Sequence, residues 1–367
     1  MNATRFEWGG AMVKDSSQRA MDSGHKNEDA VAPKTAKGIV KDNSSQRASL
    51  GNDDANQAGS FFVEMKPFLS VDQQVRHLVE TGIECPDLNE AKELLEDINY
   101  YRLRAYWMTF EHNGQIAKAT ELSSIVDIYR LDAALRQWLW AAIQPIEIKI
   151  RTSFAYFLSR DYGPLAYRDS LLFADSSRHG GLLSSIDQEI ARAKKNQEPC
   201  VCHNLEKYGD LPCWAVVEVM TMGQVSSLIG LLRDDFRTAP TAKAIAGAFG
   251  QRPPILKSWL MHLCAVRNLC AHQGRFYNRV MRIRPKMLRK DIRWASNKEF
   301  PTFIVIKRLF EQTWPDRWND MAIELGHIID AYPNVSLAPM GFPDCWREVL
   351  GVPKAENGSE ADAWAEQ

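Results

Sequence analysis

From Leu122 to Phe157 the positions Ile125, Ile128, Leu131, Leu135, Leu139, Ile143, Ile146, Ile150, Phe154 and Phe157 follow one another at steps of three or four residues. That spacing fits the 3.6-residue turn of an α-helix, so the chain has to be built around one long, buried helical rod. Pro145 lies inside the run, lacks an amide donor, and is expected to kink the rod or divide it. The same period recurs from Val71 to Thr81, Asn89 to Phe110, Leu182 to Lys195, Trp214 to Arg233 and Thr302 to Tyr332. No run of alternating residues argues for a major sheet, so the expected class is all-α. No apolar stretch approaches the ~20 residues that a membrane span needs, and no membrane partner is expected.

Three regions differ in composition. Residues 1–64 are rich in Ser, Asn, Asp, Ala and Lys and poor in aromatics, too polar to offset chain entropy by burial; they read as a disordered leader. Within it Val13-Lys14-Asp15-Ser16-Ser17-Gln18-Arg19-Ala20 returns as Val40-Lys41-Asp42-Asn43-Ser44-Ser45-Gln46-Arg47-Ala48. One copied stretch is too little for a solenoid; it is either a duplicated linker or non-native sequence placed before Met65 by a wrong start codon. Residues 352–367 read as a loose acidic tail. Residues 65–351 carry the core: at 45% hydrophobic and 10% aromatic residues overall, the chain has material for one large or two intimately packed domains. The leader has no continuous apolar segment of the kind that drives secretion. With an odd count of 7 cysteines, the expectation is reduced thiols in the cytoplasm.

The segment Arg267-Asn268-Leu269-Cys270-Ala271-His272 holds the richest chemistry. Leu256, Trp259, Leu260, Leu263 and Val266 give an amphipathic helix leading into it, Pro253-Pro254 mark its start, and Gly274 suits its end. At about 100° per residue, Asn268 and His272 share a face and Arg267 flanks it. All three can reach one phosphate. An RNA 2′-hydroxyl attacks its own phosphate once a base removes its proton and a cation steadies the phosphorane; histidine can be that base and arginine that cation. Arginine and histidine at this spacing also occur by chance as solvated groups near a helix end. The sequel adds weight: Arg275, Arg279, Arg282, Arg284, Lys286, Arg289, Lys290 and Arg293 follow, with Asp291 the one acid among them and Phe276, Tyr277 and Trp294 interleaved. A basic strip laced with aromatics suits single-stranded RNA, although a strip of this kind standing alone would be read as a solvated face.

Other constellations are weaker. Cys200-Val201-Cys202-His203 with Cys213 offers soft ligands in what reads as a Pro-containing loop, but Cys-x-Cys is a poor chelating pair. No metal and no cofactor is expected. A net charge of −1 argues against a protein that coats nucleic acid indiscriminately, so any RNA grip must be local and salt-sensitive.

The motif Arg267 to His272 followed by Arg275-Phe276-Tyr277-Asn278-Arg279 resembles the signature of the Abi-like (AbiD/AbiF) abortive infection family, within the HEPN superfamily. Asn99-Tyr100-Tyr101-Arg102-Leu103 with Tyr106 resembles that family's N-terminal tyrosine motif, and Asp132, Leu135, Arg136, Glu147 and Arg151 its long central helix. Pro212, Trp214, Glu218 and Gly223 resemble a third block, and Met340-Gly341-Phe342-Pro343 with Trp346 a C-terminal one. The resemblance implies a HEPN-type helical bundle with N- and C-terminal helical extensions. It also implies a metal-independent endoribonuclease that leaves a 2′,3′-cyclic phosphate, acting in phage defence or as a toxin. Carried over, Arg267 stabilises the phosphorane, His272 is general acid or base and Asn268 orients the phosphate or the histidine. Arg275, Asn278, Arg279, Arg282 and Arg284 bind RNA. Glu147 and Arg151 either support the site or form an ordinary intrahelical ion pair. The implied partners are RNA, a second copy that completes a composite site, and a protein or small-RNA antitoxin. The alternative is a non-catalytic RNA-binding or scaffold protein; a metal-dependent nuclease lacks a carboxylate cluster.

Overall fold

The structure, a computed structural model, describes residues 66–353 apart from Gly114, Asp234, Phe236 and Arg237. The leader expected at 1–64 and the tail beyond Pro353 lie outside the described residues. Ser70 opens α1 (Val71–Glu80) through a capping box with Gln73. Asp87 caps α2 (Leu88–Asp97), and Asn99 caps α3 (Tyr100–Trp107) by accepting the Tyr101 amide proton at 2.9 Å. The helix expected across 89–110 is thus two helices, because the Asn99 side chain competes for the backbone donors that a continuous helix would use. Four two-residue strands frame this region: β1 (Ile83–Glu84), β2 (Glu111–His112), β3 (Gln115–Ile116) and β4 (Thr120–Glu121). β1 pairs with β4 in parallel and β2 with β3 in antiparallel fashion.

The expected rod is α4 (Leu122–Tyr162), 41 residues long and uninterrupted at Pro145. The carbonyl that Pro145 leaves without a helical donor belongs to Ala141, which is exposed to water. Ile143 and Ile146 on either side are fully buried and hold the two halves in line. α5 (Ser176–Lys195) starts at the Asp175 cap, and α6 (Pro199–Tyr208) has its proline at the first turn, where a missing donor costs nothing. The segment expected as a loop around Cys200 is therefore helical. α7 (Cys213–Val219) and α8 (Met222–Leu231) replace the single helix expected at 214–233, split by a Thr221–Gln224 capping box. α9 (Ala239–Gly247), α10 (Pro253–Ala271), α11 (Phe300–Thr313), α12 (Pro315–Asp330) and α13 (Trp346–Leu350) complete the chain. Trp314 and Pro315 divide the helix expected at 302–332.

The chain is all-α apart from the four short strands. α4 is its axis, with α3, α7, α8, α9, α10, α11 and α12 against it. Trp138 of α4 is buried against Phe303 and Trp318, with ring centroids 5.6 and 6.4 Å away, and its indole donates to the Met321 carbonyl at 2.9 Å. The sequence from 340 to 352 closes the far side: Phe342 packs on Phe300 and Phe303, and Val352 is buried beside Gly326.

Candidate active site and nucleic-acid surface

α10 ends where the sequence motif lies. His272 is the C-cap residue; the amide of Gln273 donates to Cys270 and that of Gly274 to Leu269, the two bonds of a Schellman motif. The left-handed position is filled by Gln273 (φ 54°) rather than by a glycine. Gly274 is needed one residue later, where a Cβ would come within 3.3 Å of the Leu269 side chain and 3.4 Å of its carbonyl. Arg102 of α3 reaches across to donate to the Gln273 carbonyl at 2.5 Å, so the N-terminal tyrosine block braces the end of the motif helix.

His272 and Asn268 are exposed. Arg267 is partly covered: its guanidinium lies 5.0 Å from the Trp140 ring centre, and its Nε is 3.4 Å from a Glu147 carboxylate oxygen. That contact is an ion pair without hydrogen-bond geometry, for Nε is buried and donates to no atom among the described residues. Glu147 also pairs with Arg151, which donates to the carbonyls of Val217 and Met220 at the end of α7. Glu147 and Arg151 form the intrahelical pair that their spacing implied, and Glu147 also pairs with Arg267. A cleft of about 360 Å³ lies beside the motif, lined by Ala133, Arg136, Gln137, Trp140, Cys270, Ala271 and Gln273. Arg267 and His272 are not among its lining residues; Trp140, against which Arg267 lies, and Ala271 and Gln273, the chain neighbours of His272, are.

Beneath the cleft sits a polar centre that joins Tyr106 of the tyrosine block to Asp132 and Arg136 of the central-helix block. Asp132, fully buried, pairs with Arg136, accepts the Tyr106 hydroxyl at 2.6 Å, and accepts the amides of Phe276 and Tyr277 at 3.0 and 2.6 Å. Burial pushes its carboxyl up, opposed by the Arg136 guanidinium and these three donors. The central helix is thereby tied to the first residues after the motif. Arg136 lies one helical turn away, but the two amides come from 144 and 145 positions along the chain, and that link no local spacing revealed.

The basic segment then folds back along α10. The Ile283 carbonyl accepts from His262 Nδ1 at 2.6 Å, the Lys286 carbonyl from Trp259 at 2.7 Å, and the Lys286 amide donates to Ser258 at 2.8 Å. Arg279, Arg282, Arg284 and Lys286 are exposed and Arg275 is half-buried. Among the described residues none of the eight cations from Arg275 to Arg293 forms an ion pair. The expected aromatic lacing is corrected: Phe276 and Tyr277 are buried, because the amides beside them face Asp132, and the Tyr277 hydroxyl donates to Ser336 at 2.6 Å. Trp294 is half-buried with its ring edge-on to Phe300. Asn278 turns inward as well; it sits at φ 50° and accepts from Lys298 Nζ at 2.8 Å.

Two buried titratable groups missed in the sequence secure this segment from behind. Glu299 accepts the Arg279 amide with one carboxylate oxygen while the other, buried, has no hydrogen-bond partner among the described residues. Burial pushes this carboxyl up to about 7. His262, also fully buried, lies between the Ile283 carbonyl and the Thr302 hydroxyl, and burial pushes its imidazole down to about 4. Since the carbonyl can only accept, Nδ1 carries the proton and Nε2 accepts from Thr302.

Cys200 and Cys202 sit two residues apart on α6, about 200° around the helix, while Cys213 is buried at the start of α7. Among the described residues no group of three or more His, Cys, Asp or Glu is placed to hold a metal ion. No helix among them is long and apolar enough to cross a membrane.

The model of one protein family, described as Abi-like protein, matches residues 93–278, just over half of the chain. The match takes in the Asn99–Arg102 block, all of α4, the 212–223 block and the motif through Asn278; the 340–346 block falls outside it. No curated protein and no solved structure matches the chain.

Proposed function

Because the chain belongs to the Abi-like family, we propose that it serves abortive infection or acts as a toxin, as a metal-independent endoribonuclease of the HEPN Arg-x4-His type. The observation that carries this reading is the end of α10: an exposed imidazole at its C-cap and, five residues earlier, a half-covered guanidinium against Trp140, a residue lining the adjacent cleft, with exposed arginines and a lysine following in the chain. His272 takes the proton of the 2′-hydroxyl or supplies one to the departing 5′-oxygen. Arg267, oriented by Trp140 and Glu147, stabilises the dianionic phosphorane, and Asn268 orients the phosphate. The products are a 2′,3′-cyclic phosphate and a 5′-hydroxyl. Arg275, Arg279 and Arg282 hold the RNA backbone near the cut and Arg284 holds it farther along the strand, while Asn278 keeps the turn in shape instead of contacting RNA.

One histidine does not readily act as base and acid on opposite sides of one in-line displacement, so the complete site is composite and the protein a homodimer. Ile148 and Tyr156 on α4 and Trp214 on α7 are exposed at 65%, 62% and 58%. They are the apolar surface offered to the second copy, beside Glu147 and Arg151. A cytoplasmic location and an antitoxin, either a protein or a small RNA, belong to the same reading.

A second reading is favoured by the pairing of Arg267 with Glu147 and its stack on Trp140, which would equally suit a structural arginine in a non-catalytic RNA-binding scaffold. One assay separates the two: labelled RNA incubated in excess chelator with the wild type, Arg267→Ala and His272→Ala. Cutting that resists chelator and is lost in both variants is the expected result. Intact RNA bound in a salt-sensitive way would support the scaffold, and cutting lost to chelator would overturn both.

A further inference from the structure

A second cleft lies along the other half of α10. About 400 Å³ in volume, it is walled by Pro254, Lys257 and Met261 of the helix and by Ile283, Arg284 and Lys286 of the returning segment. The residues lining it include three cations and no acid, in a protein whose net charge is −1. Met261 and Ile283, 54% and 40% exposed, add an apolar component to its lining. The walls are fixed: Trp259 and Ser258 hold Lys286 by its backbone, His262 holds Ile283, and Lys257 donates to the Leu232 carbonyl at 3.1 Å. At 1.5 Å per residue, Met261 lies roughly 16 Å and Lys257 roughly 22 Å along the axis from His272. Arg279 and Arg282, both exposed, lie between His272 and Ile283 in the chain.

We propose that this cleft is a distal subsite for single-stranded RNA, resting on the RNA reading given above. Lys257, Arg284 and Lys286 neutralise phosphates, and Met261 with Ile283 takes the face of a base. A strand with its scissile phosphate at His272 runs back along α10 and is gripped several nucleotides away. The run of exposed cations along the chain segment that leads from the motif to this cleft favours RNA over an acidic protein segment, which would need the cations only at its own contact. Recognition then depends on strand length: fragments too short to span both clefts bind weakly and leave.

The test measures binding of fluorescent unstructured oligoribonucleotides of 4 and 12 nucleotides to full-length protein carrying His272→Ala to prevent cutting. It is repeated with Arg284→Ala and Lys286→Ala added together, and separately with Met261→Ser. The 12-mer should bind at least tenfold more tightly than the 4-mer. The paired substitution should weaken the 12-mer five- to tenfold and reduce its log K against log salt slope by about 1.4, the release expected for two single-strand phosphates, leaving the 4-mer unchanged. Met261→Ser should weaken the 12-mer with no change in that slope. All three residues are exposed, and an unchanged unfolding midpoint confirms the fold. An unaltered 12-mer, or equal weakening of both lengths, would overturn the subsite while the RNA reading stands on wild-type cutting. Binding of neither length would remove both. An oligoglutamate that competes as well as the 12-mer would overturn RNA in favour of an acidic protein segment.

Discussion

Arg267 is held from two sides, and the two sides do different work. Trp140 fixes the plane of its guanidinium, a contact worth about 0.5–1 kcal/mol at a partly exposed site, and Glu147 balances its charge at 3.4 Å. If Arg267 acts on a phosphorane, orientation matters more than the binding energy of the stack. Trp140→Ala is therefore expected to lower kcat for RNA cutting by roughly ten- to hundredfold while changing RNA affinity less than threefold, as read by single-turnover kinetics beside a binding titration. An equal loss in affinity would mean that Trp140 contacts the RNA itself. Gln273 presents a different residue-scale feature, a side chain in the left-handed conformation at the position most helices give to glycine. Gln273→Gly should raise stability by about 0.5 kcal/mol through relief of that strain, seen as a higher urea midpoint at unchanged slope.

At the scale of elements, α4 was legible because its evidence is local: a period sustained over many turns. Its continuity through Pro145 was not, since this depends on water reaching the Ala141 carbonyl and on neighbours that bury Ile143 and Ile146. The divisions at Asn99, Thr221 and Pro315 did leave signals, namely a capping amide, a Thr-x-x-Gln box and a first-turn proline, which the apolar period overrode in the reading. The motif residues Arg267, Asn268 and His272 do lie at one helix end, and Tyr106, Asp132 and Arg136 were visible as members of family-like blocks, whereas the link from Asp132 to the amides of Phe276 and Tyr277, more than a hundred positions away, had no local trace. Removing Asp132 leaves the Arg136 charge buried without its partner and two amides without an acceptor. Asp132→Ala should cost about 3–5 kcal/mol, measured by urea unfolding, and should raise hydrogen exchange at Phe276 and Tyr277 first.

The returning basic segment is held by two groups with opposite pH responses. Glu299 ordinarily titrates near 4.5 and in the fold near 7, so the folded chain retains a proton between those values; its contribution to stability is complete below 4.5 and is lost as pH rises through 7. His262 ordinarily titrates near 6.5 and in the fold near 4, so its contribution is present above 6.5 and is lost as pH falls through 4. Glu299→Gln keeps an acceptor for the Arg279 amide and removes the buried charge. It should stabilise the protein at pH 8 by on the order of 1 kcal/mol and flatten the fall in stability between pH 5 and 7, as followed by urea unfolding across that range. A steeper fall in the variant would show that the carboxylate is stabilised in the fold.

Over the whole molecule, charge is balanced while the eight cations from Arg275 to Arg293 stand without ion-pair partners among the described residues. RNA binding confined to such a strip loses affinity steeply with salt without the protein becoming a general nucleic-acid binder. In the proposed reading, the exposed apolar surface of Ile148, Tyr156 and Trp214 and the one histidine of the motif suit two copies sharing a substrate. Central to the account is that the RNA cuts itself, its own 2′-hydroxyl attacking under the guidance of His272 and Arg267. The most direct measurement replaces the nucleotide 5′ to a mapped cleavage site with its 2′-deoxy form and follows cutting by the wild-type protein in chelator. The account predicts that this one bond survives while neighbouring sites are cut and end in cyclic phosphate. Cleavage at the deoxy position would contradict it.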